Sequence, residues 1–315
     1  MKLSPLFAAL TFAACATTAL SAPDPGPLAT RVMQIDRTTQ WRAVSDISIP
    51  FNTHHPQGMV RIEGDTFFTS VEILRATNRY PQPVDGLDRD AGEGRGHLFR
   101  ISETGALKSD IALGEGDIYH PGGLDFDGRW LWIPVAEYRP NSRSIIYRVD
   151  PVTLAATEAF RVPDHIGAVA VDREAHALIG VSWSGARIYR WLLQPDGSVT
   201  PADLAAPPSD MKRAHYIVWQ DCHGLAGHMM LCTGLATYTR PGDASSLSLG
   251  GAELIDLATL RPLWQTPIEL WSTSGRSMLQ NPAWFEPTPT GLRAWFMPDD
   301  DTSTLYSYEV DLPAN

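Results

Sequence analysis

The chain has 315 residues, 43% of them hydrophobic and 19% charged, and its formal net charge of −11 argues against a nucleic-acid or anionic-lipid partner, which needs a basic face. Three cysteines, with 25 glycines and 25 prolines, exclude a disulfide-dense mini-scaffold and a collagen-like or low-complexity chain. What is left is a globular chain of ordinary composition.

Met1-Lys2 is followed by an alanine-rich apolar run from Leu3 to Leu20, closed by Ser21 and Ala22. This is the pattern of a cleaved secretory leader over residues 1–22, so the chain is expected to be exported, periplasmic or secreted. Phe12-Ala13-Ala14-Cys15 approximates a lipoprotein box, and anchoring through Cys15 is the alternative. No later segment reaches the roughly 18 uninterrupted apolar residues of a spanning helix, so no transmembrane segment is expected in the mature chain. Residues 23–30 open on Pro23-Asp24-Pro25-Gly26-Pro27 and read as a Pro/Gly spacer. The folded domain is expected over 31–315, and about 290 residues suit a single all-β barrel or propeller.

Helical periodicity is nearly absent. Short runs of Val, Ile, Tyr, Trp and Phe alternate instead with Gly, Asp and Pro turns, which is a reason to search for repeats. A first strand is predicted over 41–49. Hairpins then start at His55, His120, His165, His215 and Asn281, at intervals of 65, 45, 50 and 66 residues. Each leads to an aromatic strand closed by a turn, at 97–102, 144–150, 187–192, 251–256 and 304–311. The first four copies are followed by a fourth strand, at 107–113, 157–162, 199–204 and 263–270. The fifth has none, and strand 41–49 placed beside it closes a ring and removes exposed sheet edges. The prediction is an all-β fold, a single β-propeller of five four-stranded blades with an N-terminal closing strand. Six blades are the alternative, because segments 75–96 and 237–250 are long enough to hide irregular strands; loops on a binding face are the simpler account. Cys222 and Cys232 flank Gly224-Leu225-Ala226-Gly227, which reads as a tight hairpin connection. In an oxidising compartment a disulfide across it is expected, with two free buried thiols as the alternative.

The stretches His54-His55-Pro56-Gln57-Gly58-Met59, His120-Pro121-Gly122-Gly123-Leu124-Asp125 and Trp132-Ile133-Pro134-Val135-Ala136-Glu137-Tyr138-Arg139-Pro140-Asn141-Ser142 resemble those of an uncharacterised family of exported bacterial β-propellers. The resemblance spans nearly all of the mature chain and implies a fold and an export route, with no activity attached. More distantly, the Asp-Gly turns and strand repeats are similar to regucalcin and NHL-type propellers, which include metal-dependent lactonases. The chain departs from the lactonase pattern, having no matching Glu, Asn and Asp calcium ligands at the starts of its inner strands.

In a propeller blade the first strand lines the central channel and the second runs antiparallel to it. Starts of first strands and ends of second strands therefore share one face. By that geometry His55, His120, His165, His215 and Asn281 ring one mouth of the channel, with Glu72, Glu137, Trp183 and Asp299 behind or above them. A divalent transition metal is the candidate cofactor, held by His55, His120, His165 and His215, with Glu72 and Glu137 orienting the rings. Without a metal, His55, His120, Glu72 and Glu137 support proton transfer. Arg139 would clamp a substrate carboxylate, and Tyr138 would stack on a sugar or aromatic ligand beside Trp183, Asn281 and Asp299. The competing reading is structural: each His ends a turn and bonds to backbone, Arg139 is salt-bridged and Tyr138 packs. His54, His223 and His228 are weaker candidates, His223 being placed at a hairpin turn on the opposite face.

No Gly-x-Ser-x-Gly elbow occurs, which argues against a serine hydrolase. Gly92-Glu-Gly-Arg-Gly96 is glycine-rich but opens no helix after a strand, and reads as a flexible loop tip rather than a phosphate cradle. The functional expectation is a monomeric hydrolase or lyase acting on a small molecule or saccharide at the His-lined mouth, with metal dependence left open. The alternative is a non-catalytic propeller that binds a ligand or partner on the same face.

Overall fold

The computed structural model describes residues 26–210, 215–242 and 245–313; the leader segment and Cys15 lie outside them. Five four-stranded antiparallel blades form a ring. The first blade comprises His55–Ile62, Asp65–Arg75, Glu93–Ile101 and Leu107–Leu113. In the second, an inner strand broken into Ile118–Pro121 and Asp125–Phe126 is followed by Leu131–Glu137, Ser144–Val149 and Ala156–Val162. The third holds Ile166–Asp172, Ala177–Ser182, Arg187–Leu192 and Ser209–Asp210. The fourth holds Val218–Leu225, Met229–Thr239, Ser246–Asp256 and Arg261–Pro267.

The fifth blade takes Ala283–Pro287, Gly291–Phe296 and Thr304–Asp311, and its outermost strand is Arg42–Ser48. Arg42 to Ser48 pair with Glu309 to Thr304 in antiparallel register, so the ring closes through the N-terminal strand as the sequence requires. The described residues of the two long segments hold no sixth blade. One carries a small hairpin, Arg79–Val84 with Leu87–Arg89. The other lengthens the middle hairpin of the fourth blade, which stays paired out to Thr239 and Ser246.

Several expectations need correction. The loop tip read at residues 92–96 is for the most part the start of the strand Glu93–Ile101. The fourth strand of the third blade is not 199–204 but the two-residue Ser209–Asp210, because Thr200 caps a short helix, Pro201–Ala205, by accepting from Asp203 N with Pro201 at its first turn. A capping Thr followed by Pro is a helix-start signal that outweighs the strand pattern. Most of the stretch 23–30 is also not a spacer. Gly26–Val32 is a helix, and its buried Ala29 and Val32 pack with Leu231, Leu254, Phe285 and Phe296, so burial of two apolar side chains ties it to the core.

The core is divided between blade interfaces. Each of five apolar clusters joins two neighbouring blades, as where Trp132 and Ile146 meet Val169, Leu178 and Trp191, or Met59 and Phe68 meet Trp295 and Met297. Strand Ile166–Asp172 shows why the pattern reads as a continuous apolar run: Val169 and Val171 face the second blade while Ala168 and Ala170 face the fourth. A strand buried on both faces has no polar alternation.

On the axis the inner strands touch. A Cβ on Gly58 would lie 2.5 Å from Gly123 Cα, and one on Gly224 would lie 1.8 Å from Val171 O; only glycine allows such approaches. Polar groups complete the contact. Asp125 Oδ2 accepts from Val171 N and Gly224 N, both at 2.8 Å, and Asp221 Oδ2 accepts from Met59 N at 3.0 Å. The second and fourth blades, and the fourth and first, are thereby joined across the axis. His223, placed by the sequence at a turn, lies within Val218–Leu225, with Nε2 3.4 Å from Asp221 Oδ2 and Nδ1 3.7 Å from Asp125 Oδ1.

Burial alone would lower the His223 pKa, but the adjacent Asp221 and Asp125 carboxylates carry it up to about 10, and burial raises Asp221 as well. A histidine raised above its unfolded value of 6.5 contributes stability that is complete below that value and is lost as pH climbs through the folded value. The melting temperature should therefore fall between pH 6.5 and pH 10, and the slope should flatten in His223→Gln. Thermal denaturation across that range checks this, and a flat wild-type profile would contradict it.

Candidate functional site

Side chains at the starts of the inner strands and the ends of the second strands enclose a cavity of about 210 Å³ on one face of the ring. His55, His120 and His165 line it with Tyr138, Trp183, Gln57, Ser182, Ser184, Trp219 and Gln220. The His120 and His165 ring centroids are 5.8 Å apart. Tyr138 stacks on His120 at 4.3 Å, and Trp183 meets His165 edge-on at 4.6 Å.

Two of the three imidazoles are oriented by a neighbouring blade. His55 Nδ1 lies 2.7 Å from Asp300 Oδ1, and the same carboxylate accepts from Arg276 at 2.6 Å and from Asn281 Nδ2 at 2.9 Å. Burial opposes ionisation of Asp300, but these donors hold its pKa well below the usual carboxylate value. His165 Nδ1 lies 2.7 Å from Glu137 O. A carboxylate or carbonyl oxygen accepts only, so each Nδ1 carries a hydrogen, and in the neutral ring the lone pair is on Nε2. His120 Nδ1 is buried with no hydrogen-bond partner among the described residues.

Burial keeps His120 far below its ordinary pKa, with His165 and His55 adding to the effect, and burial takes His165 down to about 4 despite its backbone bonds. Both are therefore neutral at physiological pH. No Asp, Glu, Lys or Arg lines the cavity among the described residues, so the wall offers neutral nitrogen bases, amides, hydroxyls and aromatic faces.

The remaining sequence-predicted residues stand elsewhere. His215 sits behind Trp219 (ring centroids 4.7 Å apart), with Nδ1 2.8 Å from Glu253 Oε2. Asn281 is fully buried and holds Asp300, so it supports His55 from behind. Asp299 accepts from Ser272 and Ser274; its neighbour Asp300 is the one that reaches His55. Glu137 is buried between Arg139 and Arg143, which leaves Arg139 ion-paired and not a free clamp. Glu72 pairs with Arg95 at 3.0 Å, outside the cavity. His228 contacts Asp172, also away from it. The histidines expected to share one metal do not gather as a group: among the described residues the one set of three ligand atoms within 4.8 Å of one another is His54, Glu72 and His97.

Several lining residues escaped the sequence reading. Gln57 lies two positions after His55, but a bulge between Pro56 and Gly58 disturbs the simple alternation. Another bulge, between Trp219 and Asp221, sits at Gln220, whose Nε2 donates to Gln57 Oε1 at 2.7 Å. Asp300 stands in an Asp299-Asp300-Asp301 run, where choosing among neighbours needs the side-chain direction.

The chain belongs to the family of unknown function DUF6454, which matches residues 11–313. No curated protein sequence matches it. Among solved structures it is similar to MPT-4, a mannose phosphorylase from Leishmania mexicana in complex with a phosphate ion, at 11% identity over 86% of this chain and 88% of that one, with a TM-score of 0.49. A luciferin-regenerating enzyme is 9% identical over 87% and 98% of the two chains, TM-score 0.46. The PQQ-bound aldose sugar dehydrogenase from Streptomyces coelicolor is 10% identical over 92% and 100%, TM-score 0.41. At these identities the likeness does not reach the site.

A histidine held below its unfolded value of 6.5 leaves stability intact above that pH and loses it as pH falls toward the folded value, about 4 for His165. The imidazole carbon-bound protons of His120 and His165 should accordingly keep neutral-form chemical shifts from pH 8 to about pH 5. A nuclear magnetic resonance titration checks this; a midpoint near 6.5 for either residue would contradict the buried neutral assignment.

Proposed function

We propose that the His-lined cavity is the active site of a hydrolase or lyase acting on a small neutral molecule, a saccharide in the first instance. The observation that carries this is the pair His55 and Asp300, at 2.7 Å, with Asn281 and Arg276 fixing the carboxylate behind it. An imidazole whose Nδ1–H is held by an ionised carboxylate presents Nε2 as a general base, and the carboxylate stabilises the imidazolium that forms. His55 would take a proton from water or from the substrate. Neutral His165 offers a second lone pair through Nε2, and His120 lies beside it.

The wall supports the substrate class. Tyr138 and Trp183 offer faces for the apolar side of a sugar ring, while Gln57, Gln220, Ser182 and Ser184 offer donors and acceptors for hydroxyls. A cavity of about 210 Å³ suits one small ring. A metal at His55, His120, His165 and His215 finds less support, since His215 stands behind Trp219 and the four do not form a ligand-spaced group.

Export remains part of the proposal. The Cys222–Cys232 bond across paired strands supports an oxidising compartment. Among the described residues no helix is long and apolar enough to cross a membrane.

Tryptophan fluorescence titrated with monosaccharides, together with turnover of 4-nitrophenyl glycosides, tests the reading. Trp183→Ala should weaken binding at least about tenfold, whereas His55→Ala should leave binding largely intact and lower turnover by about 10²–10⁴-fold. Undiminished turnover in His55→Ala would remove the catalytic assignment; saccharide binding without turnover in the wild type would leave a binding protein.

A further inference from the structure

We infer that His54, Glu72 and His97 form a second site, distinct from the cavity, that binds a divalent transition metal such as Zn²⁺ on the first blade. The three residues come from different parts of that blade. His54 immediately precedes the inner strand, Glu72 is near the end of the second, and His97 lies on the third. Their ligand atoms already lie within 4.8 Å of one another. Ligands at about 2.1 Å from an ion stand roughly 3.4 Å apart around a tetrahedron, a distance that modest side-chain rotation can close.

His97 is built as a ligand. Its Nδ1 lies 2.9 Å from Asp110 Oδ1, so Nδ1 carries a hydrogen and, in the neutral ring, Nε2 is the nitrogen free to bind an ion. A carboxylate on the far nitrogen is the usual support of a metal-bound imidazole. The Nε2 atom is buried and has no hydrogen-bond partner among the described residues, and Glu72 Oε2 faces it at 3.9 Å. Buried polar atoms are rarely left unpaired without a reason, and an ion between Nε2 and the carboxylate would satisfy both.

His54 completes the set. Its ring stacks on His97 with centroids 5.0 Å apart, and its backbone takes a left-handed φ of 55°, held by His54 N donating to Asn52 Oδ1 at 2.8 Å and by Asp301 N donating to His54 O at 2.6 Å. Two imidazoles and one carboxylate are a donor set suited to zinc with a fourth position left open. Arg95 Nη1, on a side chain 63% exposed, donates to Glu72 Oε2 at 3.0 Å and competes with the ion for that oxygen. An ion here would tie together the ends of the segment 75–96 and fix the backbone one residue before His55.

Isothermal titration of Zn²⁺ into the full chain, with melting temperature measured in parallel, tests this. The wild type should bind one ion at this site and melt higher with Zn²⁺ present. His97→Ala and Glu72→Gln should each weaken binding at least about 100-fold, and Asp110→Asn about 10–100-fold. Arg95→Ala should tighten binding, a sign that a purely structural role for Glu72 would not produce. His55→Ala should retain the ion. The inference falls if the wild type binds no Zn²⁺ at millimolar concentration, if His97→Ala binds as the wild type does, or if His55→Ala abolishes binding while His97→Ala preserves it. Each outcome is read without substrate, so failure of the catalytic reading leaves it standing.

Discussion

Contact between inner strands across the axis is the constraint on which the rest of this propeller depends. Five blades leave so little room that backbone meets backbone, and each buried amide there must find an acceptor. Asp125 and Asp221 supply acceptors to strands on the far side of the axis, His223 lies between their carboxylates, and Gly58, Gly123 and Gly224 permit the approach. Two buried carboxylates would be prohibitive alone. Backbone donors and one imidazolium make them tolerable.

The same closure organises the cavity. Along the inner strands, His55, His120 and His165 come just before the glycines and carboxylates that fill the axis, so the cavity is backed by packed protein. His55 of the first blade is oriented by Asp300 of the fifth, and His165 of the third by Glu137 O of the second. Ring closure through Arg42–Ser48 holds the fifth blade, and therefore Asp300, in place. Orientation of the candidate base is thus a consequence of global topology rather than of local sequence, and a preorganised base needs no rearrangement when substrate arrives.

The blade count and the closing strand were legible because repetition averages out local ambiguity: five aromatic strands and five hairpin starts agree even where single strands do not. Legibility failed where one local signal outweighed the repeat, as at Thr200-Pro201, and where apolar burial reached into a Pro-rich stretch, as at Ala29 and Val32. For the site, the ring placed His55, His120 and His165 together with Tyr138 and Trp183 because strand starts and strand ends map onto one face. The pattern could not supply side-chain direction. Asp299 and Asp300 differ by one residue and point to different partners; His215 has the right position in the repeat, but Trp219 occupies the wall in front of it. Glu137 contributes to the site through its backbone oxygen while its side chain is neutralised by two arginines, which a side-chain reading cannot anticipate.

Native-state hydrogen exchange tests the axial constraint most directly. The amides of Met59, Val171 and Gly224, bonded to Asp221 or Asp125, should exchange only through global unfolding, with free energies equal to that of the whole chain. Exchange of these amides through local opening, at free energies well below the global value, would contradict the claim that the axis holds the ring together.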